Sequence, residues 1–226
     1  MKKKIIISIV SVIVLVAVAA LIVFIVSGGD LGKKSVDLNG TWIVTSNVNE
    51  GVVSIPQNEY MVFDEESVKD FRDGNNTPFA TSKYEVNGDV LNLSDISRTY
   101  HIDIHTNSYI SLYTNDRTFM TIVKIEDDSY LNKNFAANTL SGKWNVLYRT
   151  SDQVISNEYL VFENGKMQNF RNNSDKASME SDYQCNGNAL ELQSIGLKFI
   201  GFNVSDDTIA LVDTKDGYVW LLQRAA

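Results

Sequence analysis

Apolar and polar residues alternate along short segments of this chain. The clearest segment spans residues 100–105, where three apolar side chains face one way and three polar ones the other: Tyr100, Ile102 and Ile104 against His101, Asp103 and His105. A period of two is typical of a β-strand that buries one face. The chain is rich in β-branched and aromatic residues and has only 2 prolines, which also favours strands. The pattern therefore predicts an all-β protein.

Eight short strands are predicted in the first half of the chain. Turn sequences separate several of them, and Asn87-Gly88 is one that favours a tight hairpin because both residues tolerate positive φ. The predicted strands are Thr41–Val48, Asn58–Phe63, Val68–Arg72, Ser82–Val86, Val90–Leu93, Thr99–Thr106, Tyr109–Thr114 and Phe119–Ile125. Short consecutive strands form an antiparallel meander, which can close into a barrel and so remove its exposed edges.

The second half of the chain repeats the first. Segment 38–42 (LNGTW) returns as 140–144 (LSGKW), 102 residues later, and segment 59–63 (EYMVF) returns as 158–162 (EYLVF), 99 residues later. A repeat of this length indicates two copies of one folding unit. The predicted fold is therefore all-β, with two tandem small eight-stranded antiparallel meander barrels.

The repeat also predicts the order of the domains. The first barrel spans residues 38–125, the second spans 140–226, and a polar linker at 126–139 joins them. The polarity of the linker indicates a small contact, so that each barrel unfolds by itself; the alternative is one continuous fold built from both repeats. Because an eight-stranded barrel is roughly as wide as its own side chains can fill, the fold alone does not assure a deep ligand cavity.

The N-terminus has a different pattern, since an uncharged apolar run at 5–26 follows three lysines at 2–4. These 22 residues would form a helix about 33 Å long, enough to cross a bilayer. We expect residues 1–26 to be a cytoplasmic lysine tip with one transmembrane α-helix, and residues 27–37 a stalk. The alternative is a cleaved signal peptide, with 17–19 (AVA) as its cleavage site, and a secreted protein. The lysines favour a cell-membrane protein with its barrels outside the cell.

The net charge of the chain limits the partners that it can bind, and its cysteine content limits how the barrels can be stabilised. Beyond residue 26 the chain has 17 basic and 28 acidic residues, a net charge of −11. Such a surface repels nucleic acid, so we expect no nucleic-acid partner. The single cysteine, Cys185, cannot form an intramolecular disulfide, so the barrels must be stable through their cores. Cys185 itself is predicted to be a buried thiol in a strand.

A Gly-x-Trp sequence opens the first predicted strand of each repeat, at Trp42 and Trp144. Together with the Tyr-x-x-Asn-Gly-x-x-Leu-x-Leu segment that follows in each copy, it resembles the small bacterial lipocalin-like domains. In lipocalins this tryptophan packs at the closed end of the barrel against a basic side chain of the last strand. The resemblance implies contacts of Trp42 with Lys124 and of Trp144 with Arg224. Each cation–π contact would have a structural role worth about 0.5–2 kcal/mol.

The two histidines of the chain, His101 and His105, flank Asp103 on one face of a predicted strand. Neighbours on that face stand about 6.5 Å apart, so one histidine and Asp103 could hold a metal ion, but all three could hardly share one. The aligned strand of the second repeat, 200–204 (IGFNV), has no such ligands. We therefore interpret this strand as a solvent-facing polar surface, and expect no metal or cofactor.

Other polar residues also favour a non-catalytic protein. No Ser/His/Asp or Cys/His arrangement recurs in both repeats, and acidic groups such as 64–66 and 206–207 fall at predicted turns. Phe71-Arg72 does recur, as Phe170-Arg171. We interpret each pair as a core phenylalanine beside an outward arginine that pairs with a carboxylate; the alternative is an aromatic–basic patch on both barrels.

The sequence thus predicts a membrane-anchored extracytoplasmic binding or scaffolding protein, held in the membrane by residues 5–26. The alternative is a carrier or sensor of a small apolar ligand, bound in a barrel mouth or in a groove between the barrels. No motif identifies the ligand-binding residues, the ligand or a partner protein. Filled barrels would favour protein contact, and an open apolar cavity of at least about 300 Å³ would favour a ligand.

Overall fold

The computed structural model describes residues 36–115, 117–133, 135–149 and 157–225. The predicted transmembrane helix and most of the predicted stalk lie outside the described residues. Within the described ranges, no helix is both long and apolar enough to cross a membrane. These ranges form seventeen strands and two short 3-10 helices, Asp128–Asn132 and Ala137–Leu140, so the prediction of an all-β fold is confirmed.

The first barrel contains eight of the strands, and a ninth is attached to it. Its strands are β1 (Gly40–Asn49), β2 (Val52–Ser54), β3 (Tyr60–Phe63), β4 (Ser67–Phe71), β5 (Ala80–Asn87), β6 (Val90–Leu93), β7 (Arg98–Thr106), β8 (Tyr109–Asn115) and β9 (Thr118–Lys124). Neighbours from β3 to β9 pair in sequence order, and β1 pairs with both β3 and β9, which closes the ring. The short β2 pairs with the end of β1 and was not predicted.

The second barrel repeats this plan without the extra strand. It consists of β10 (Gly142–Tyr148), β11 (Tyr159–Glu163), β12 (Lys166–Phe170), β13 (Met179–Asn186), β14 (Ala189–Leu192), β15 (Leu197–Asn203), β16 (Thr208–Asp213) and β17 (Val219–Arg224). These eight strands form a closed antiparallel barrel. The prediction of two tandem eight-stranded barrels is therefore confirmed.

A buried tryptophan fills one end of each barrel, which we call the closed end. Trp42 is opposite Lys124 in the β1–β9 pair, and the Lys124 ammonium lies 5.7 Å from the centre of its ring. Trp144 is opposite Arg224 in the β10–β17 pair, with the guanidinium 4.4 Å from the ring. Both predicted contacts are present. Each indole also donates a hydrogen bond to the backbone carbonyl four residues earlier, which satisfies its buried polar atom.

The two barrels share an apolar core between them, in addition to the core inside each. It combines outward-facing residues of the first barrel and the linker with others from the second: Ile43, Tyr109, Val123, Ile125, Tyr130, Val204, Ala210, Val212, Val219 and Leu221. Polar contacts cross the same interface, since the Ser46 hydroxyl donates to the Gly217 carbonyl at 2.7 Å. Residues 36–226 accordingly form one compact unit. The prediction of a small contact is wrong, because strand residues form the interface and the polarity of the linker does not report on them.

The linker itself contributes to the packing. Tyr130 is part of the core between the barrels, and Phe135 enters the core of the second barrel. The Phe135 ring lies directly on Gly201 in β15, where any side chain would occupy the same space. The linker is therefore packed against the barrels through two buried aromatic residues, although most of its residues are polar.

Candidate ligand-binding site

The first barrel has an open end opposite Trp42, and a cavity of about 380 Å³ enters it there. Inward-facing residues of the strands form its apolar wall: Val44, Met61, Val68, Leu93 and Met120. A neighbouring depression of about 210 Å³ shares Arg98, Tyr100 and Met120 with the cavity. The volume lies within the range of small-molecule sites and exceeds the threshold of about 300 Å³. This barrel is therefore hollow at its open end.

Two exposed apolar side chains stand at the rim of this cavity. Phe79 is 68% exposed and Ile96 is 42% exposed, and both line the cavity from loops that join strands at the open end. The Arg72 guanidinium lies 4.1 Å from the centre of the Phe79 ring. Exposed apolar groups around a hollow often mark a binding surface. The apolar lining thus continues to the entrance.

A group of charged side chains interrupts the apolar wall near the rim. Arg72 donates two hydrogen bonds to Oδ2 of Asp70, from Nη2 at 2.7 Å and from Nε at 3.0 Å. Its Nε also lies 3.6 Å from Oε1 of Glu59. Burial raises the pKa of the Glu59 carboxyl, and Arg72 opposes this effect only in part. The Arg72 guanidinium thus lies next to two partly buried carboxylates, those of Asp70 and Glu59.

The other oxygen of Asp70 has a different environment. Oδ1 is buried and has no hydrogen-bond partner among the described residues. A second cation of the cavity, Arg98, is exposed, and its Nη1 donates to the Tyr100 hydroxyl at 3.2 Å. At the rim of the cavity, Asp70 thus has one oxygen bound to Arg72 and one enclosed by protein, while the Arg98 guanidinium is open to solvent.

In the second barrel, larger side chains fill the space equivalent to this cavity. A depression of about 390 Å³ on this barrel has a mostly polar lining: Lys143, Asn145, Val146, Asn157, Glu158, Tyr159 and Asn173. Trp220 takes the position of Met120, four residues before the basic partner of the closed-end tryptophan. Its ring centre lies 4.9 Å from that of Phe199, the counterpart of Tyr100. The Arg149 guanidinium stacks near the same indole, 5.6 Å from the ring centre. The interior is thus occupied by protein atoms.

The charged group of the second barrel has one carboxylate where that of the first barrel has two. Glu158, the counterpart of Glu59, is 6% exposed and forms ion pairs with Arg149 Nε at 3.0 Å and with Arg171 Nε at 3.1 Å. Asn169, the counterpart of Asp70, donates from Nδ2 to Oε1 of Glu158 at 2.7 Å. The Glu158 carboxylate thus accepts hydrogen bonds from Arg171 and Asn169, while Arg149 forms an ion pair with it but its buried Nε makes no hydrogen bond with the described residues.

The structure separates the two histidines that the sequence places on one face. His101 is exposed and lies 4.0 Å from an Asp89 oxygen, as expected of a polar surface. His105 instead lies between the barrels, with Nε2 2.7 Å from the Ser111 hydroxyl and Nδ1 3.0 Å from the Tyr148 hydroxyl. The expectation that it faces solvent is wrong. The described residues contain no group of three or more potential metal ligands.

In both repeated Phe-Arg pairs, the arginine faces the barrel interior and the phenylalanine faces outward, which is the reverse of the predicted orientation. Phe71 stacks on Tyr60, on the face of the sheet opposite the cavity, with ring centres 4.6 Å apart, and Arg72 turns into the cavity. Arg171 likewise points to buried Glu158. The predicted pairing of each arginine with a carboxylate is confirmed, but the predicted core position of the phenylalanine is wrong. Arg72 continues the alternation of its strand, since Val68, Asp70 and Arg72 all line the cavity while Phe71 faces the other way.

Sequence reasoning did not identify Asp70, Arg98 or Met120 as candidate residues. The signal that could have found them is the difference between the repeats, since the aligned positions hold Asn169, Leu197 and Trp220. In the first barrel these positions hold two charged residues and a methionine that line the cavity. In the second barrel they hold uncharged residues, one of which is the tryptophan that fills the interior. No protein-family model, curated protein or solved structure matches the chain.

Proposed function

We propose that this chain is a non-catalytic binding protein whose first barrel takes a small, mostly apolar ligand at its open end. The observation that carries the proposal is the contrast between the barrels at one position. Met120 lines a cavity of about 380 Å³, whereas Trp220 packs against Phe199 in the barrel interior. The two barrels share one fold, but the cavity that a small ligand requires is open in the first barrel and filled in the second.

The architecture supports a lipocalin-like assignment for both barrels. Each is an eight-stranded antiparallel meander closed by its first and last strands, with a buried tryptophan under a cation at one end. In such a barrel the end opposite the tryptophan is the one available to a ligand. The cavity lies at that end in the first barrel.

The second barrel is proposed to support the first. Its filled interior and its share of the core between the barrels make it a rigid base against which β1, β8 and β9 pack. A second function, contact with a partner protein, is favoured for this barrel because a filled interior leaves its surface as the means of recognition. The two roles are compatible in one chain.

The proposed setting is the outer face of a cell membrane. The apolar run at 5–26 would anchor the chain, with its lysines in the cytoplasm, and the acidic barrels would lie outside. Cleavage near residues 17–19 would instead release the same barrels as a secreted protein. Both arrangements present the open end of the first barrel to an extracytoplasmic ligand.

Binding of a fluorescent apolar probe tests the proposed function. The residue 36–226 fragment holds all seventeen strands and the three cores, and Nile red should bind it saturably at one site per chain. Met120→Trp copies the filler of the second barrel and should weaken binding at least about tenfold, while the control Met120→Leu should retain it. Circular dichroism verifies that both variants fold. Equal binding by Met120→Trp and the unsubstituted fragment, or no saturable binding by the latter, would contradict the proposal.

A further inference from the structure

The open end of the first barrel holds two adjoining chambers. The cavity of about 380 Å³, here called the large chamber, extends along β3 to β6, and the depression of about 210 Å³, here called the small chamber, lies against β8 and β9. Leu112 forms a buried wall of the small chamber, and Thr114 stands exposed at its entrance. The lining of both chambers is mostly apolar. The hollow of this barrel is therefore larger than the large chamber alone.

Three residues line both chambers and so form the boundary between them: Arg98, Tyr100 and Met120. Arg98 and Tyr100 are two residues apart on β7 and share one face of the strand. The Arg98 Nη1 donates to the Tyr100 hydroxyl at 3.2 Å, which holds the guanidinium at the boundary. Met120 is unbranched and adopts several conformations at little cost, so it can move aside for a ligand. The boundary therefore combines a hydrogen-bonded pair with a deformable side chain.

Charge does not select among the ligands that could enter these chambers. The charges of the residues that line the large chamber sum to zero: Glu59, Asp70, Arg72 and Arg98. Arg72 is engaged by Asp70 and Glu59, and the second Asp70 oxygen is enclosed by protein. Arg98 is exposed, and an ion pair with a solvated guanidinium adds little affinity. The shape of the hollow, rather than its charge, therefore distinguishes one ligand from another.

On the basis of the proposed function, we infer that the small chamber is a second subsite for the same ligand, and that this ligand is an elongated apolar molecule such as an alkyl chain. It would extend from the large chamber past Met120 into the small one. One molecule that fills both chambers loses its translational freedom once and buries apolar surface in both, so it binds more tightly than a molecule confined to one. A wide, rigid molecule would have to break the hydrogen bond between Arg98 and Tyr100 to do the same. In the second barrel the equivalent boundary is closed, because Trp220 packs against Phe199.

Straight-chain alcohols of increasing length test this inference: 1-octanol, 1-decanol and 1-dodecanol. Isothermal titration of the residue 36–226 fragment into each alcohol should give one alcohol molecule per chain. The affinity should rise about tenfold for each pair of added methylene groups, because each group becomes buried in the hollow. An affinity that stops rising after 1-octanol, or two alcohol molecules bound per chain, would overturn the inference. This series requires no variant, so it holds whether or not substitutions alter folding.

A variant that fills the small chamber locates the effect. Thr114 lines the small chamber and not the large one, and it is exposed, so Thr114→Trp adds an indole there without displacing a core residue. It should leave 1-octanol binding within about twofold and reduce the gain from 1-octanol to 1-dodecanol from about 100-fold to about threefold. The control Thr99→Trp adds the same side chain at an exposed position of β7 that lines neither chamber, and should keep the full gain. Circular dichroism verifies that both variants fold, and a full gain retained in Thr114→Trp would overturn the inference.

The same titrations distinguish this inference from the proposed function. Saturable binding of 1-octanol that Met120→Trp abolishes supports a ligand site in the first barrel, whatever the longer alcohols do. If 1-octanol binds in this way and Thr114→Trp has no selective effect on 1-dodecanol, only the inference about the small chamber is wrong. If none of the three alcohols binds, the proposed function fails as well.

Discussion

Met120 and Trp220 occupy equivalent positions in the last strands of the two barrels, and their difference in size accompanies a hollow barrel in one case and a filled barrel in the other. Each residue lies four positions before the basic side chain that covers the closed-end tryptophan, Lys124 or Arg224. Trp220 extends to Phe199, whereas Met120 leaves a cavity of about 380 Å³. The two repeats thus share one fold but differ in the volume left open inside the barrel.

The core between the barrels predicts that both unfold together. Trp42 and Trp144 are 0% and 1% exposed, and replacing either by alanine should cost about 3–5 kcal/mol. Because the barrels share buried residues, urea unfolding of residues 36–226 should show one transition that each substitution moves. Fluorescence and far-ultraviolet circular dichroism should give the same midpoint. Two separable transitions, each sensitive to one tryptophan only, would show that the interface does not couple the barrels.

The two equivalent glutamates should respond to substitution in opposite ways. Burial raises the pKa of Glu59 above its ordinary value of 4.5, so folding favours its protonated form. The stability that this provides is fully present below pH 4.5 and is lost as the pH rises through the folded pKa. Glu59→Gln cannot ionise, so its stability relative to the unsubstituted protein should increase between pH 4.5 and pH 7. Urea titrations at the two pH values measure this difference, and a relative stability that falls with pH would contradict it.

Glu158→Gln is the matched comparison in the second barrel. Here the substitution removes the anion that Arg149 and Arg171 both contact, and leaves two partly buried cations facing each other. Removing one partner of a buried ion pair costs about 3–5 kcal/mol, so this variant should be destabilised at pH 7. A loss below about 1 kcal/mol would show that the arginines find other partners.

Contact between the linker and the second barrel can be tested at Gly201. A Cβ added there would lie 2.6 Å from Cγ and Cε1 of Phe135, so Gly201→Ala must displace the aromatic ring. We expect a loss of about 1–3 kcal/mol, as for other overpacked core positions. Adding Phe135→Leu should recover part of the loss, since the smaller side chain leaves room for the methyl group. Thermal unfolding that is unchanged in Gly201→Ala would contradict the packed position of Phe135.

The proposed membrane topology predicts where a cysteine becomes accessible. In a Cys185→Ser background, which removes the natural thiol, Ser35→Cys should react with a membrane-impermeant maleimide on intact cells. Labelling only after lysis would reverse the proposed orientation. Recovery of the protein from the medium, with its N-terminus near residue 20, would show that the apolar run is a cleaved signal.

The strands could be predicted from local patterns of the sequence, whereas the closed ends were implied by the resemblance to lipocalin-like domains. Alternation with a period of two and the repeated turns predict the strands, except for Val52–Ser54, which is too short to show a period. The core between the barrels was missed because β16 and the start of β17 are buried on both faces, and a polar linker says nothing about them. The cavity was missed because it depends on the difference in side-chain volume between Met120 and Trp220. A hydrophobic pattern does not distinguish these two residues, because both are apolar.

Methionine methyl NMR tests the central claim, a ligand site in the first barrel and none in the second, most directly. Met61 and Met120 line the cavity, while Met167 is fully buried in the core of the second barrel. Residues 36–226 labelled with ¹³C at the methionine methyl groups can be titrated with 1-octanol. Saturable shifts of the Met61 and Met120 signals, with the Met167 signal unchanged, are the predicted result. Shifts of Met167 equal to those of Met120, or no saturable shift at Met61 and Met120, would contradict the claim.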